Sequence, residues 1–205
     1  MSCTMKKTKN AALVAVGAAA LPLLTAFPAS AVPEPSAKAQ VVRSACPGEV
    51  SVSEDGGRVN VKIKNFKASV GGDVNPKEAQ KSCSFSISIR IPQGFTGAVA
   101  STDTRLAADL DPGVVGELTQ SYRWRGSPGS DVSMHAVAGH KGNLQFTDMV
   151  PTAQLKYARC DAPEFLDLET RIRVKSSDPS EEGWLSLDSP GGGMTYSFAY
   201  KVCNR

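Results

Sequence analysis

The stretch CSFSISIRI, residues 83–91, alternates without a break between two kinds of side chain. Every odd-numbered position is apolar or cysteine, and every even-numbered position is serine or arginine. Successive side chains of a β-strand point to opposite faces of a sheet. The stretch therefore predicts a strand with one face on a core and the other in water. Cys83 lies on the inward face, where we expect a disulfide to a neighbouring element.

The same period of two recurs along the chain, and no segment shows a helical stripe. In the last strand, 194–202, we expect five side chains to face inward: Met194, Tyr196, Phe198, Tyr200 and Val202. Turn sequences separate the strands; Asp55-Gly56-Gly57 should close a hairpin, and residues 189–193 should pair Trp184–Leu187 with the last strand. We expect an all-β fold in a single domain, an antiparallel β-sandwich, with a jelly roll as one form it can take.

Residues 1–31 have the features of a cleavable signal peptide. Three lysines between positions 6 and 9 precede an apolar run, residues 11–27. The run ends at Ala29-Ser30-Ala31, which matches the small-x-small pattern that signal peptidase cleaves. We therefore expect the protein to be secreted and extracellular, with no membrane attachment after cleavage.

Cleavage at this site would start the mature chain at Val32. Residues 32–45 contain prolines and small or polar side chains, so we expect a flexible lead-in. Residues 46–205 would form the folded domain, which is long enough for a sizeable core. Both Met1 and Met5 are candidate start sites, because Met5 directly precedes the basic residues.

The charge balance argues against a polyanionic partner. The chain has 23 basic and 20 acidic residues, a formal net charge of +3. The three lysines of the predicted signal peptide account for that difference, so the mature chain is close to neutral. A nucleic-acid or anionic-membrane partner would require a clear basic excess. We expect neither partner.

The chain has five cysteines, of which Cys3 lies in the predicted signal peptide. The other four are Cys46, Cys83, Cys160 and Cys203, and an even count in an exported chain indicates two disulfides. Four cysteines allow three connectivities; we favour Cys46–Cys83 and Cys160–Cys203. Each would close a loop of about 40 residues and stabilise the fold by about 4 kcal/mol in the chain-entropy model. With no CxxC pair we expect no metal site, and we expect no cofactor.

Several short motifs follow one another along the mature chain. They are Ala45-Cys46-Pro47-Gly48-Glu49-Val50, Lys81-Ser82-Cys83, Ile91-Pro92-Gln93-Gly94-Phe95, Leu110-Asp111-Pro112-Gly113-Val114, Ser121-Tyr122-Arg123-Trp124-Arg125-Gly126, Ala158-Arg159-Cys160 and Tyr200-Lys201-Val202-Cys203. In order and spacing they resemble a family of small secreted proteins of actinobacteria and fungi that is catalogued as a domain of unknown function. The chain departs from that pattern at Ala45, where the family usually has glycine, and after Cys160, which lacks a following glycine. The resemblance implies secretion and a β-rich fold, and it supplies no activity and no catalytic residues.

The sequence offers little for catalysis. The two histidines, His135 and His140, lie in no nucleophile or zinc-enzyme motif. Acidic residues that are close in sequence form three pairs: Asp109 and Asp111, Asp161 and Glu164, and Glu181 and Glu182. Glycoside hydrolysis requires two carboxylates that face each other across a cleft. Closeness in sequence does not indicate that two carboxylates are placed in this way. We name no catalytic residue and favour a protein that is not an enzyme.

Aromatic side chains are the remaining clue to a ligand, since exposed rings can pack on the faces of sugars. Tyr122 and Trp124 share one strand face and are expected mainly to fill the core, because large aromatics dominate cores. Trp184 lies near a turn and is as easily exposed as buried. These three residues are the candidates for a ligand-binding site.

Three hypotheses for function follow. The first is a secreted, non-catalytic binding module for cell-wall polysaccharide or another protein, with Trp184 exposed or a groove that carries aromatic side chains. The second is a polysaccharide hydrolase, with two carboxylates roughly 5 to 9.5 Å apart across a cleft. The third is a structural or inhibitor protein that acts through a protruding loop, for which residues 127–140 are the best candidate.

Overall fold

The structure is a computed structural model that describes residues 38–55, 57–160 and 164–203. The predicted signal peptide, 1–31, and residues 32–37 of the predicted lead-in lie outside the described residues. The described chain forms twelve strands and two short 3-10 turns, Pro76–Ala79 and Thr152–Gln154. In these ranges no helix is long and apolar enough to cross a membrane.

The strands form two sheets. In chain order they are β1 (Lys38–Ala45), β2 (Val50–Asp55), β3 (Arg58–Ile63), β4 (Lys67–Val70), β5 (Gln80–Arg90), β6 (Phe95–Leu110), β7 (Val114–Trp124), β8 (Asp131–Ala138), β9 (Lys141–Met149), β10 (Glu164–Ser176), β11 (Gly183–Ser186) and β12 (Gly193–Val202). Sheet A has the order β1-β5-β10-β7-β8, and sheet B has the order β2-β3-β12-β6-β11-β4, with β9 also paired to β6. All the paired strands are antiparallel. The predicted antiparallel β-sandwich is confirmed.

The core lies between the two sheets and follows the predicted alternation. Its fully buried side chains include Ile63, Phe66, Ile87, Ile89, Leu106, Leu110, Leu118, Leu166, Ile172, Leu185, Met194 and Tyr196. In the last strand Phe198 and Tyr200 are half-buried against this core. Val202 was predicted to be buried and is 63% exposed, because β12 ends there at the rim of the sheet.

The prediction of a flexible lead-in over residues 32–45 is wrong for residues 38–45. Residues 38–45 form β1, an edge strand of sheet A that pairs with β5 from Lys38↔Arg90 to Ala45↔Ser84. A shift of register between Val41 and Arg43 interrupts the alternation of this strand. The segment is held by backbone pairing to β5. The composition of the segment does not indicate this pairing.

The two predicted hairpins have different outcomes. β2 and β3 pair from Asp55↔Arg58 outward, which confirms the first hairpin. The second prediction is wrong, because β11 pairs with β4 and β6 and does not pair with β12. β11 and β12 lie one after the other along the same edge of β6, where Ser186 is opposite Ala107 and Gly193 is opposite Arg105. The glycine-rich segment between them leaves the sheet and returns to the same edge.

Both predicted disulfides are confirmed. Cys46–Cys83 connects the segment after β1 to β5, and Cys160–Cys203 connects the segment before β10 to the end of the last strand. Cys83 is fully buried on the inward face of β5, as its position in the alternation predicts. Cys160 is exposed and Cys203 is half-buried. The second bridge therefore lies nearer to solvent than the first.

Candidate functional site

An open groove of about 860 Å³ lies on the outer face of sheet A. It crosses β1, β5, β10 and β7, and we call it the outer groove. Its polar lining includes Arg43, Ser84, Ser86, Ser121, Arg123, Arg125, Asp167 and Glu169. These side chains alternate with core residues along their strands, so the sandwich that buries one face presents this polar face to solvent. The volume is in the range of about 300 to 1,000 Å³ that is usual for ligand pockets.

A hydrogen-bonded cluster forms part of the groove. The Asp167 carboxylate accepts a hydrogen bond from the Ser86 hydroxyl at 2.6 Å and another from Arg125 Nη2 at 2.7 Å. Arg125 Nη2 also donates to the Ser86 hydroxyl at 3.0 Å. Because each side chain is held by the other two, the positions of the guanidinium and the carboxylate are set before any ligand arrives.

The charge of Asp167 is stabilised in this cluster. Partial burial raises the pKa of Asp167, but the hydrogen bonds from Arg125 and Ser86 and the charges of Arg125 and Arg123 outweigh that effect. The net result is a pKa below the ordinary value of 3.8, so the carboxylate is ionised at neutral pH. Arg123 Nε is 3.9 Å from Asp167 Oδ2, and its side chain is 61% exposed, so the guanidinium is open to a ligand.

Phe165 gives the groove an aromatic surface. It lies on β10 two residues before Asp167, and the guanidinium of Arg125 lies 4.6 Å from the centre of its ring. The ring is half-buried and lines the groove beside the charged cluster. A groove with hydroxyl, guanidinium and carboxylate groups next to one apolar ring can bind a ligand that has both hydroxyl groups and a C–H face.

The three aromatic residues named from the sequence do not form a common site. Trp124 is 3% exposed in the core, where its Nε1 donates to the Lys156 carbonyl oxygen at 3.1 Å, so it is closed to a surface ligand. Tyr122 is half-buried and lies edge-on to Tyr196, with ring centres 6.3 Å apart. Trp184 lies in the other sheet, half-buried, with Lys67 Nζ 4.4 Å from the centre of its ring. Tyr122 lines the outer groove, whereas Trp124 and Trp184 do not.

The first carboxylate pair named from the sequence has a cation between its members. Lys141 Nζ is 2.9 Å from Asp109 Oδ1 and 3.3 Å from Asp111 Oδ1. Asp111 also accepts a hydrogen bond from the backbone N–H of Glu182 at 3.0 Å, and this bond, followed by that from Lys141, lowers its pKa. These contacts hold a turn in place.

In the other two pairs, the described carboxylates Glu181 and Glu164 differ in their surroundings. Glu181 accepts hydrogen bonds from the Gly113 backbone N–H at 3.0 Å and from the Ser176 hydroxyl at 2.9 Å. Glu164 is 3% exposed, and burial raises its pKa, although the charge and backbone N–H of Arg159 oppose that rise. Its intended partner, Asp161, lies outside the described residues. Within the described ranges no group of three or more His, Cys, Asp or Glu side chains is placed to hold a metal ion.

The prediction that residues 127–140 form a protruding loop is wrong. Residues 131–138 form β8, which pairs with β7 from Tyr122↔Asp131 to Val115↔Ala138. The exposed side chains of this strand are apolar, with Val132 60% and Met134 75% exposed, while Ser133 and His135 point inward. Because the apolar side chains of this strand face solvent, its alternation does not indicate a half-buried strand.

Sequence reasoning also missed Ser86, Arg125, Phe165 and Asp167 as site residues. A partial signal was present, because the even-numbered serines of residues 83–91 were correctly assigned to the outer face. Sequence alone did not reveal that Arg125 and Asp167, which are 42 residues apart, meet on that face.

Comparison with known proteins places the chain in a family. The family model for a domain of unknown function (DUF4360) matches residues 38–203. The chain belongs to this family. The match begins at the first residue of β1 and ends at the last cysteine, so the DUF4360 domain coincides with the described sandwich.

An uncharacterized secreted protein of Arthroderma benhamiae (strain ATCC MYA-4681 / CBS 112371) is 28% identical to the chain over 160 residues. The alignment covers 70% of this DUF4360 protein, which spans only 60% of the length of that relative.

Among solved structures, a chain of broad bean stain virus is 11% identical with a TM-score of 0.28, and the alignment covers 80% of this chain and 93% of that one. A family 11 carbohydrate-binding module from Clostridium thermocellum is 7% identical with a TM-score of 0.23, over 79% and 88% of the two chains. Scores this low support no functional inference.

Proposed function

We propose that the protein is a secreted, non-catalytic binding module that holds a polysaccharide of the cell surface in the outer groove. The observation that carries this proposal is the position of Phe165 beside the Ser86–Arg125–Asp167 cluster in a groove of about 860 Å³. The groove is open along the sheet, so it suits a section of a long chain.

The chemistry of the lining suits a hydroxylated ligand. Sugar hydroxyls both donate and accept hydrogen bonds, and the groove offers guanidinium donors, carboxylate acceptors and serine hydroxyls that do both. The exposed guanidinium of Arg123 and the hydroxyls of Ser84 and Ser121 lie at the surface of the groove. The ring of Phe165 supplies apolar surface for the C–H face of a sugar.

An extracellular location agrees with two observations. Two disulfides are typical of proteins that fold in an oxidising compartment. A relative of the chain is described as secreted. A polysaccharide outside the cell would therefore be accessible to the module.

The positions of the acidic residues favour binding over hydrolysis. The two carboxylates that line the outer groove, Asp167 and Glu169, lie on the same strand and the same face. Glycoside hydrolysis requires one carboxyl group on each side of the scissile bond, and one of the two must hold a proton. Asp167 remains ionised by its contacts with Arg125 and Ser86, which does not suit a general acid.

The test is retention on insoluble polysaccharides and isolated cell walls, with soluble sugar release assayed in the same samples. We expect retention without release, and we expect Arg123→Ala to weaken it at least about tenfold, the effect of losing one charge-assisted contact. Arg173→Ala is the matched control, because Arg173 is an exposed arginine on the same sheet that does not line the groove. A parallel arm uses an immobilised extract of secreted proteins. Sugar release would indicate a hydrolase, and retention on the protein extract alone would indicate a protein ligand. Equal effects of the two variants would exclude the outer groove.

A further inference from the structure

A second cavity lies between the two sheets, where β8 and β9 separate. It has a volume of about 320 Å³ and opens between residues 131–133 of β8 and 147–149 of β9. Gln120 and Thr102 contribute to its lining from sheet A and sheet B respectively, and both side chains are 4% exposed. We call it the inter-sheet pocket; among its lining residues only Tyr122 is shared with the outer groove.

The pocket is lined by a buried side chain with an unused donor. The amide oxygen of Gln120 accepts a hydrogen bond from the Thr104 hydroxyl at 2.8 Å. Its Nε2 group is buried and has no hydrogen-bond partner. A buried N–H without a partner costs free energy, since the group was hydrogen-bonded to water before folding. A rotation of the amide toward the pocket would let a ligand acceptor remove this cost.

The carboxylates that line the pocket already have polar side-chain partners. Asp131 lies 2.7 Å from Lys156 Nζ, and Asp148 lies 3.0 Å from His135 Nε2. A cationic ligand would therefore have to compete with these partners. A neutral hydroxyl can donate to the remaining lone pairs of either carboxylate without displacing Lys156 or His135.

Tyr122 adds a hydroxyl that stays protonated. Burial, followed by the negative charges of Asp131 and Asp148, raises the pKa of Tyr122 above its ordinary value. The phenol therefore remains neutral and able to donate. Apolar surface is contributed by Tyr196, Val150 and Pro151, which also line the pocket.

We propose that the inter-sheet pocket binds a single neutral pyranose ring, as a free sugar or as the end of a glycan. The pocket presents an amide donor, carboxylate acceptors and apolar surface within one small volume, which matches the hydroxyl edge and C–H face of such a ring. Its volume lies at the low end of the range of about 300 to 1,000 Å³ for ligand pockets, so it holds one ring and not a chain. The site is distinct from the outer groove, which is open and lies on the outer face of sheet A, and Tyr122 lines both.

The test uses two-dimensional NMR of the mature, oxidised protein, titrated separately with methyl glucopyranoside, methyl galactopyranoside and methyl mannopyranoside. We expect at least one glycoside to shift the side-chain amide signals of Gln120 in a saturable manner. Ser133→Phe should fill the mouth of the pocket and weaken binding at least about tenfold. Ser82→Phe is the matched control, because Ser82 is an exposed serine on β5 that lines neither cavity.

Thr102→Val provides a second variant that keeps the shape of the pocket floor and removes one hydroxyl. It should weaken binding while the thermal unfolding temperature remains close to that of the parent. The proposal would be overturned if the Ser133→Phe variant still bound the glycoside, or if glycerol shifted the Gln120 signals equally. It would also be overturned if the Gln120 amide contacted only water at saturating glycoside. Arg123→Ala, which tests the outer groove, should leave these shifts unchanged, so the two proposals can fail separately.

Discussion

Arg125 and Asp167 form an ion pair at 2.7 Å on the outer face of sheet A, between the end of β7 and β10. The Asp167 side chain is 24% exposed and that of Arg125 is 48% exposed. Ser86 on β5 donates to the same carboxylate oxygen at 2.6 Å. The pair therefore connects side chains from three parts of the chain, and it also shapes the outer groove.

Replacing Asp167 with asparagine should lower stability at neutral pH and change its dependence on pH. The pKa of Asp167 lies below its ordinary value of 3.8 in the folded protein, so its ionised form stabilises the fold above that pH. This stabilisation is lost as the pH falls through the lower, folded-state pKa. We expect Asp167→Asn to cost about 1 kcal/mol at pH 7, a modest value because Arg125 is partly solvated.

Urea unfolding of the parent and of Asp167→Asn between pH 7 and pH 2 measures this effect. The difference in the free energy of unfolding should narrow as the solution becomes more acidic than the ordinary pKa. Asp178→Asn is a poor control because its pKa is also lowered; Glu169→Gln, an exposed carboxylate on the same strand, is the better one. A difference that stays constant over the whole pH range would contradict the assignment.

Glu164→Gln should raise the stability of the protein at neutral pH. Burial raises the pKa of Glu164 and Oε1 has no hydrogen-bond partner, so the ionised form is unfavourable in the folded state. The pKa of Glu164 is higher in the folded protein than its ordinary value of 4.5, so the protonated form stabilises the fold. This stabilisation is fully present below pH 4.5 and is lost as the pH rises through the pKa of the folded protein. Glutamine keeps the shape and can still accept from the Arg159 backbone N–H.

We expect a gain of about 1 to 2 kcal/mol at pH 7 and no gain at pH 4, measured by thermal unfolding at the two values. Glu169→Gln serves again as the exposed control and should show no gain at either pH. A loss of stability at pH 7 would mean that the ionised carboxylate has a favourable contact.

The alternation in residues 83–91 predicted more of the fold than any other signal in the sequence. Period-two patterning is local, so it identifies which face of a strand is buried without knowledge of the partner strands. It placed Ile87 and Ile89 in the core and Cys83 on the inward face, all of which are confirmed. The cysteine pairing is also confirmed.

Features that depend on the partners of a strand were not predictable in this way. β1 is held by backbone hydrogen bonds to β5, and its side chains give no strong pattern. β11 has β4 and β6 as neighbours, although the turn that follows it suggests a hairpin with the last strand. The cluster of Ser86, Arg125 and Asp167 results from strand order and register, which no local period encodes.

The two disulfides should differ in their response to reductant. Cys160 is exposed, whereas Cys83 is fully buried, and exchange with a thiol requires access to a sulfur. We expect dithiothreitol to open Cys160–Cys203 first, as detected by alkylation and mass spectrometry of the native protein. The loops span 37 and 43 residues, so removing either bridge by a double Cys→Ser change should cost a similar amount, about 2 to 4 kcal/mol.

Prior opening of Cys46–Cys83 would contradict this order. The Cys160→Ser/Cys203→Ser variant gives the matching control, because the remaining bridge should then resist reductant under native conditions. Partial unfolding before reduction can be detected by adding a low concentration of urea, which should speed opening of the buried bridge far more than that of the exposed one.

Trp184 should not be needed for retention on polysaccharide. It lies on β11 in sheet B, whereas the outer groove lies on sheet A. Trp184→Phe should therefore bind insoluble polysaccharide as well as the parent, while Phe165→Leu should bind more weakly. Fluorescence quenching by acrylamide should be largely lost in Trp184→Phe, because the remaining tryptophan, Trp124, is 3% exposed. Loss of retention in Trp184→Phe at an unchanged unfolding temperature would place the polysaccharide on the opposite sheet and exclude the outer groove.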